Sequence, residues 1–231
     1  MKAILFGGTG MIGRGVLLEC LADAGVEKVL VVGRGPSGEK DPKVTDLVLA
    51  DMFDYSGSAE ALRGYDACFY CLGVSSAGMS EADYTRVTYD LTMAAAQALL
   101  KANPSMTFCF ISGAATDSTG QGRAMWARVK GKAENALLKL GFKAAYMFRP
   151  GLIQPMKGIT SRTASYRAFY AAFGWLLPVV KSVLPSTITT TERLGLAMIA
   201  AVRKGYATPI LETRDINLLA GPQPGKIPLQ L

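Results

Sequence analysis

Lys2-Ala3-Ile4-Leu5-Phe6 runs straight into Gly7-Gly8-Thr9-Gly10-Met11-Ile12-Gly13, and the helical pattern Val16-Leu17-Leu18-Glu19-Cys20-Leu21 follows. A short apolar strand, a glycine-rich turn and a helix opening form an anion cradle. The turn brings the backbone close to a diphosphate, and the free amides of the first helical turn point at it. Glycine is required where a Cβ would strike the ligand or forbid a positive φ. The spacing Gly7-x-x-Gly10-x-x-Gly13 departs from the common dinucleotide fingerprint, whose first two glycines are one residue apart. The strand before it and the helix after it supply the context that gives such a motif its meaning. Thr9, Met11 and Ile12 are read with the three glycines as cofactor-binding.

The rest of the chain supports an α/β fold. Apolar runs near Ala3–Phe6, Val29–Val32, Asp46–Ala50, Ala67–Cys71, Met106–Ser112 and Ala144–Arg149 read as strands. They are short, apolar on both faces and separated by helical stretches, which implies a parallel sheet covered on both sides. Helices are expected over Arg14–Ala24, Ala59–Arg63, Glu81–Ala102 and Met125–Leu140. Asn103-Pro104 stops the third and Gly141 the fourth. Right-handed crossovers then give a doubly wound Rossmann-type sheet, with its ligand outside the carboxyl ends of the strands.

Past residue 150 the pattern changes. Ser161–Val183 is rich in aromatic residues. Thr189-Thr190-Thr191-Glu192 reads as a capping box opening a helix through Arg203, Ile210–Glu212 as a last strand, and the tail as irregular. We expect one domain, with 1–150 as the cofactor-binding core and 151–231 as a small lobe on the substrate side. The aromatic segment around Trp175 reads as a lid, a dimer contact or a shallow membrane-surface patch, so a homodimer is an expectation.

Composition narrows the classes. With 231 residues, half of them hydrophobic, the chain has room for a substantial core. The opening does not read as a secretory signal, and no run approaches the ~20 apolar residues of a membrane span. Cys20, Cys68, Cys71 and Cys109 all sit in apolar runs, which reads as buried thiols in a reducing, cytoplasmic setting. Cys68 and Cys71 have redox spacing but lie in a strand run, where an i,i+3 pair points to opposite faces. The chain has no histidine, which removes imidazole acid–base chemistry and His-based triads. No carboxylate cluster stands out, so no metal site is expected. The formal charge is +7. Its basic residues lack interleaved stacking aromatics, so nucleic acid is not the expected partner and a small-molecule substrate is.

The second strand ends Val32-Gly33-Arg34, about twenty residues past the glycine turn, where an acid would hold the ribose 2′-hydroxyl of NAD. Arg34 stands there instead. A guanidinium grips a 2′-phosphate and stacks on adenine, which favours NADP. The third strand ends at Asp51-Met52. Asp51 either accepts from the adenine amino group or caps the next turn, and Met52 can pack on the ring. Leu72-Gly73 would let the chain pass close to the nicotinamide ribose. Pro150 and Ile153, past the sixth strand, would border the nicotinamide.

Gly7–Gly13, Arg34, Asp51-Met52, Ile111-Ser112, the Lys130 helix and Phe148-Arg149-Pro150-Gly151 together resemble the atypical and extended short-chain dehydrogenase/reductase superfamily. The similar branch is the NAD(P)-binding, epimerase-like one that includes the Tat-interacting oxidoreductase-like proteins. The resemblance implies catalysis by a serine, a tyrosine and a lysine, the tyrosine one helical turn before the lysine. The tyrosine's hydroxyl trades a proton with the substrate oxygen, the lysine lowers its pKa and holds the nicotinamide ribose, and the serine polarises the carbonyl. Ser112 and Lys130 match the serine and lysine. The tyrosine position is Trp126, within Trp126-Ala127-Arg128-Val129-Lys130, and an indole N–H is no proton donor near neutral pH. Two readings follow. The chain is an NADP-linked oxidoreductase of a small carbonyl or nucleotide-linked substrate, with its acid drawn from Tyr84, Tyr89, Tyr166, Tyr170 or an ordered water. Otherwise it is a catalytically silent NADP-binding sensor or interaction module.

Overall fold

The computed structural model describes residues 1–159 and 187–221. Tyr166, Tyr170, Trp175 and the expected irregular tail lie outside them. β1 (Lys2–Phe6) leads into α1 (Met11–Ala22), then β2 (Lys28–Gly33), β3 (Val44–Val48) and β4 (Ala67–Tyr70). α2 (Glu81–Thr85) and α3 (Leu91–Ala102) follow, joined by one π-helical stretch over Arg86–Asp90. β5 (Thr107–Ile111), α4 (Met125–Lys139), β6 (Ala144–Arg149) and β7 (Leu152–Gln154) come next. The chain continues through β8 (Ile188–Thr190), α5 (Thr191–Lys204), β9 (Ile210–Glu212) and α6 (Thr213–Leu219).

Seven strands form one parallel sheet in the order β3-β2-β1-β4-β5-β6-β9. This is a doubly wound Rossmann-type sheet. β1 shows why. Ala3 and Leu5 enter the core under α1 and α5, while Ile4 and Phe6 enter the opposite core under α3 and α4. Both faces are buried, so alternation carries no polar residues. Cys68 joins one core and Cys71 packs against the other, as their strand spacing requires.

The C-terminal elements are built into this layer. β9 pairs with β6, and Leu194, Ala197, Met198 and Leu211 belong to the core shared with α1. α1 and α5 approach at two glycines. A Cβ on Gly15 would lie 2.6 Å from Thr191 Cβ, and one on Gly195 would lie 2.7 Å from Glu19 Cγ. β7 and β8 form a separate two-stranded parallel sheet beyond the end of β6.

Three local expectations are corrected. Ala59–Arg63 is not a helix; a single 3₁₀ turn at Ser56–Ser58 precedes it. So short a segment cannot repay helix nucleation. Asn103 holds it as a turn instead, donating to the Leu62 carbonyl (2.7 Å) and accepting from the Gly64 (2.7 Å) and Tyr65 (3.0 Å) amides. The cap of α5 lies one residue later than the box pattern implies. Thr190, not Thr189, accepts from the Arg193 amide (3.0 Å), because β8 runs through Thr190 and the helix starts only at Thr191. A reciprocal box exists at α6, between Glu212 and Asp215. Lastly, β3 is an edge strand with exposed Thr45 and Val48, not one buried on both faces.

Candidate active site

The strand order reverses between β1 and β4, and a cleft of about 780 Å³ opens at the carboxyl ends of the strands there. Gly10, Met11, Ile12, Leu72, Gly73, Ser112, Lys130, Pro150 and Ile153 line it, together with Trp126 and Tyr84. Residues from six separate chain regions thus converge on one space. None of the cleft's described lining residues is acidic.

The glycine turn is tightly determined. Gly7 has φ +78°, and a Cβ there would lie 2.8 Å from the Cys71 carbonyl carbon. The Gly10 amide donates to the Gly7 carbonyl (2.9 Å) and closes the turn. A Cβ on Gly13 would fall 2.1 Å from that same carbonyl oxygen, so only glycine lets the helix begin so close to the strand. Gly7 and Gly13 therefore shape the turn from behind, and Thr9 stands exposed at its tip. Gly10 is the N-cap of α1, has no side chain to cap the first turn, and is followed by no acidic residue there. The amides at the start of α1 are left for an anion, which is the arrangement a dinucleotide diphosphate needs.

Ser112 directly follows β5 and is buried. Its amide (2.9 Å) and its Oγ (3.2 Å) both donate to the Phe148 carbonyl. The hydroxyl is therefore turned onto the neighbouring strand. Lys130 Nζ donates to the Ser112 carbonyl, tying α4 to the end of β5. Burial pushes the Lys130 amine down to about 8, and nearby Glu134 only partly opposes this. Glu134 is fully buried and already paired: Arg149 Nε reaches its Oε1 at 3.0 Å. Arg149 also donates to Ser118 Oγ (2.6 Å) and meets Glu212 at 3.4 Å, so it joins α4, β6 and β9. The loop after Ser112 turns sharply, with Ala115 at φ +64°, a conformation uncommon outside glycine.

Trp126 lies one turn before Lys130 and lines the same cleft. Its indole rests beside Gly113, 3.9 Å from where a Cβ would stand. Tyr84 is buried and is the cleft's one tyrosine among the described residues. Tyr89 is not part of it; its ring lies under Lys132 Nζ at 4.2 Å and packs on the core side.

Arg34, Asp51 and Met52 are not cleft-lining residues; Arg34 directly follows β2, and Asp51 and Met52 lie in the loop past β3. Arg34 is exposed. Asp51 Oδ1 accepts from the Phe53 amide (2.8 Å), so it caps the turn that follows, which is the second of its two sequence readings. Met52 is buried in the core beside Leu62 and Tyr55. The sequence reading passed over the loop Val74-Ser75-Ser76 and Gly113-Ala114, which also line the cleft. The run of small residues after Leu72 was the available signal.

The profile of the NAD dependent epimerase/dehydratase family matches residues 3–124. A protein named FMP52-2, mitochondrial, from Scheffersomyces stipitis is 32% identical over 154 residues, 65% of this chain and 66% of that protein. HTATIP2 of Rattus norvegicus is 26% identical over 154 residues, covering 66% of this chain and 62% of its own length. The chain thus spans just under two thirds of these relatives. Among solved structures, the Bordetella bronchiseptica enzyme WbmF in complex with NAD+ superposes with a TM-score of 0.66 at 13% identity, over 94% of this chain and 76% of that one. A UDP-galactose 4-epimerase gives 0.64 at 16% identity, over 91% of this chain and 75% of that one. Several fungal relatives are named mitochondrial proteins, which overturns the cytoplasmic expectation. That expectation rested on the cysteines. Cys20, Cys68 and Cys109 are buried, and burial raises all four thiols well above their usual range. Shielded, protonated thiols report packing and carry no information on compartment.

Proposed function

The chain belongs to the NAD dependent epimerase/dehydratase family, and from that premise we propose that it is an NADP-linked oxidoreductase of a small carbonyl or nucleotide-linked substrate. The observation that carries this is the convergence of the uncapped start of α1 with Ser112 and Lys130 on one cleft free of acidic lining residues. The amides of Met11, Ile12 and Gly13 would hold the diphosphate, and Arg34 the 2′-phosphate. Lys130 would hold the nicotinamide ribose, with Leu72, Gly73, Pro150 and Ile153 around the ring. A bound nicotinamide supplies the hydride chemistry.

The chain's own groups would manage the oxygen. Ser112 Oγ turns from Phe148 to the substrate carbonyl. Its amide already satisfies the Phe148 carbonyl, so the turn leaves no acceptor unpaired. Tyr84, the tyrosine among the described cleft-lining residues, would give the proton, since Trp126 cannot. The same relatives favour a mitochondrial setting, which imaging of the tagged protein would check.

Trp126 favours a second reading, an NADP-binding module without turnover, in which the indole plugs the substrate space. One experiment separates them. NADPH binding is measured by calorimetry, and the absorbance of the reduced nicotinamide is then followed across a carbonyl panel. Binding with turnover, abolished in Tyr84→Phe, supports the first. Binding with no turnover on any substrate moves the assignment to the second, and no binding at all sinks both.

A further inference from the structure

Arg14 Nη1 meets Glu39 Oε2 at 2.8 Å. Arg14 directly follows Gly13 on the opening of α1. Glu39 lies five residues past Arg34, in the segment joining β2 to β3. That segment is folded by its own bonds. The Ser37 amide donates to Asp46 Oδ1 (3.1 Å), and the Glu39 amide donates to Ser37 Oγ (3.2 Å). The Lys40 amide donates to Glu39 Oε1 (2.9 Å). One carboxylate oxygen is thus held by Lys40 and the other by Arg14. The Lys40 amide, and after it Arg14, hold the Glu39 carboxyl below the usual range, so it is ionised at neutral pH. The segment leaves β2 at Arg34 and bends back onto the diphosphate end of α1. Two guanidiniums therefore stand at the two ends of one short strap, and one of them already holds an anion.

We propose that Glu39 is an internal stand-in for the 2′-phosphate of NADP, occupying Arg14 until the phosphate displaces it, and that this latch helps set the choice between NADP and NAD. The proposal rests on the NADP-linked function above. Carboxylate and phosphate monoester compete for the same guanidinium geometry. The phosphate carries up to one more charge, so the exchange runs toward it. The 2′-hydroxyl of NAD carries none and leaves the Arg14–Glu39 pair closed. Once displaced, Glu39 faces a dianion, so its charge opposes NADP twice: it holds Arg14, and it repels the phosphate.

Calorimetric titration of wild type, Glu39→Gln and Arg14→Gln with NADP+ and NAD+ tests this. Glutamine keeps an acceptor for the Lys40 amide and removes only the charge. Glu39→Gln should tighten NADP+ roughly three- to tenfold, a modest gain because the pair is partly exposed, and leave NAD+ within about twofold. Arg14→Gln should weaken NADP+ by about tenfold and spare NAD+. Adenosine 2′,5′-bisphosphate should follow NADP+, and adenosine 5′-monophosphate should follow NAD+. A wild type that prefers NADP+, with that preference unmoved or reduced in Glu39→Gln, overturns the latch and leaves the NADP assignment standing. Equal wild-type affinity for NADP+ and NAD+ overturns the NADP assignment, and the latch with it.

Discussion

Lys130 is the residue at which burial and chemistry meet. Its amine sits near 8 because the folded chain withholds water from the charged form. In the unfolded chain the same group titrates near ~10.4. Between those values the unfolded state binds more protons than the native state, so this group makes stability rise with pH from about 8 to about 10.5. Melting of wild type against Lys130→Met across that window should show the wild type gaining on the variant as pH rises. Parallel curves would mean that the lysine is solvated in solution. Arg34 makes a second prediction at this scale. Arg34→Asp should weaken NADPH by at least about tenfold and NADH far less, as read by calorimetry; equal losses would show that Arg34 does not sense the 2′-phosphate. Ser112 and Lys130 were matched through the family resemblance, with Trp126 at its tyrosine position, and all three line one cleft, residues 126 and 130 sharing a face because they are one helical turn apart. The orientation of the Ser112 hydroxyl was not. It depends on the Phe148 carbonyl, 36 residues away.

Among the elements, α4 carries the Lys130 site and is fastened by one buried ion pair. Glu134 is fully buried and Arg149 nearly so. Removing the carboxylate leaves a mostly buried guanidinium with only Ser118 Oγ and the longer contact to Glu212, a cost of up to ~3–5 kcal/mol. Glu134→Ala should therefore lower the denaturation midpoint sharply, whereas Glu60→Ala, which loses an exposed pair with Arg63, should barely move it. Similar midpoints for the two variants would refute a structural role for the buried pair. Sequence patterning found β1, β2, β4, β5, β6 and α4 because each is long or apolar enough to speak for itself. It misread Ala59–Arg63, where Asn103 from another element decides the backbone, and it placed the α5 cap one residue early, where pairing with β7 extends the strand through Thr190.

For the whole molecule, the consequence of an open cradle is ligand-linked stability. A dinucleotide at ~100 times its Kd adds about 2.7 kcal/mol to a native state that alone binds it. In a chain of this size that raises the melting temperature by roughly 5–10 °C. Scanning fluorimetry with NADP+ should show this shift, and Gly13→Ala should abolish it, since the added Cβ falls on the Gly7 carbonyl and must displace the turn. A full shift retained in Gly13→Ala would place the diphosphate elsewhere.

The opening strand, glycine turn and helix were decided locally. A both-faces-apolar strand must be interior to a covered sheet, and only glycines allow the chain to turn so tightly into a helix. Those facts belong to neighbouring residues, so the doubly wound class and the glycine turn that borders the cleft could be read from the chain. What folding alone decided is who meets whom across distance. It set β9 and α5 into the main layer, turned Asp51 onto its own loop, buried Met52 in the core, kept Tyr84 on the cleft and sent Tyr89 away from it. Except for Asp51, whose partner is the nearby Phe53 amide, these depend on how separate elements pack together, and periodicity records which face a residue occupies, not what waits on the other side.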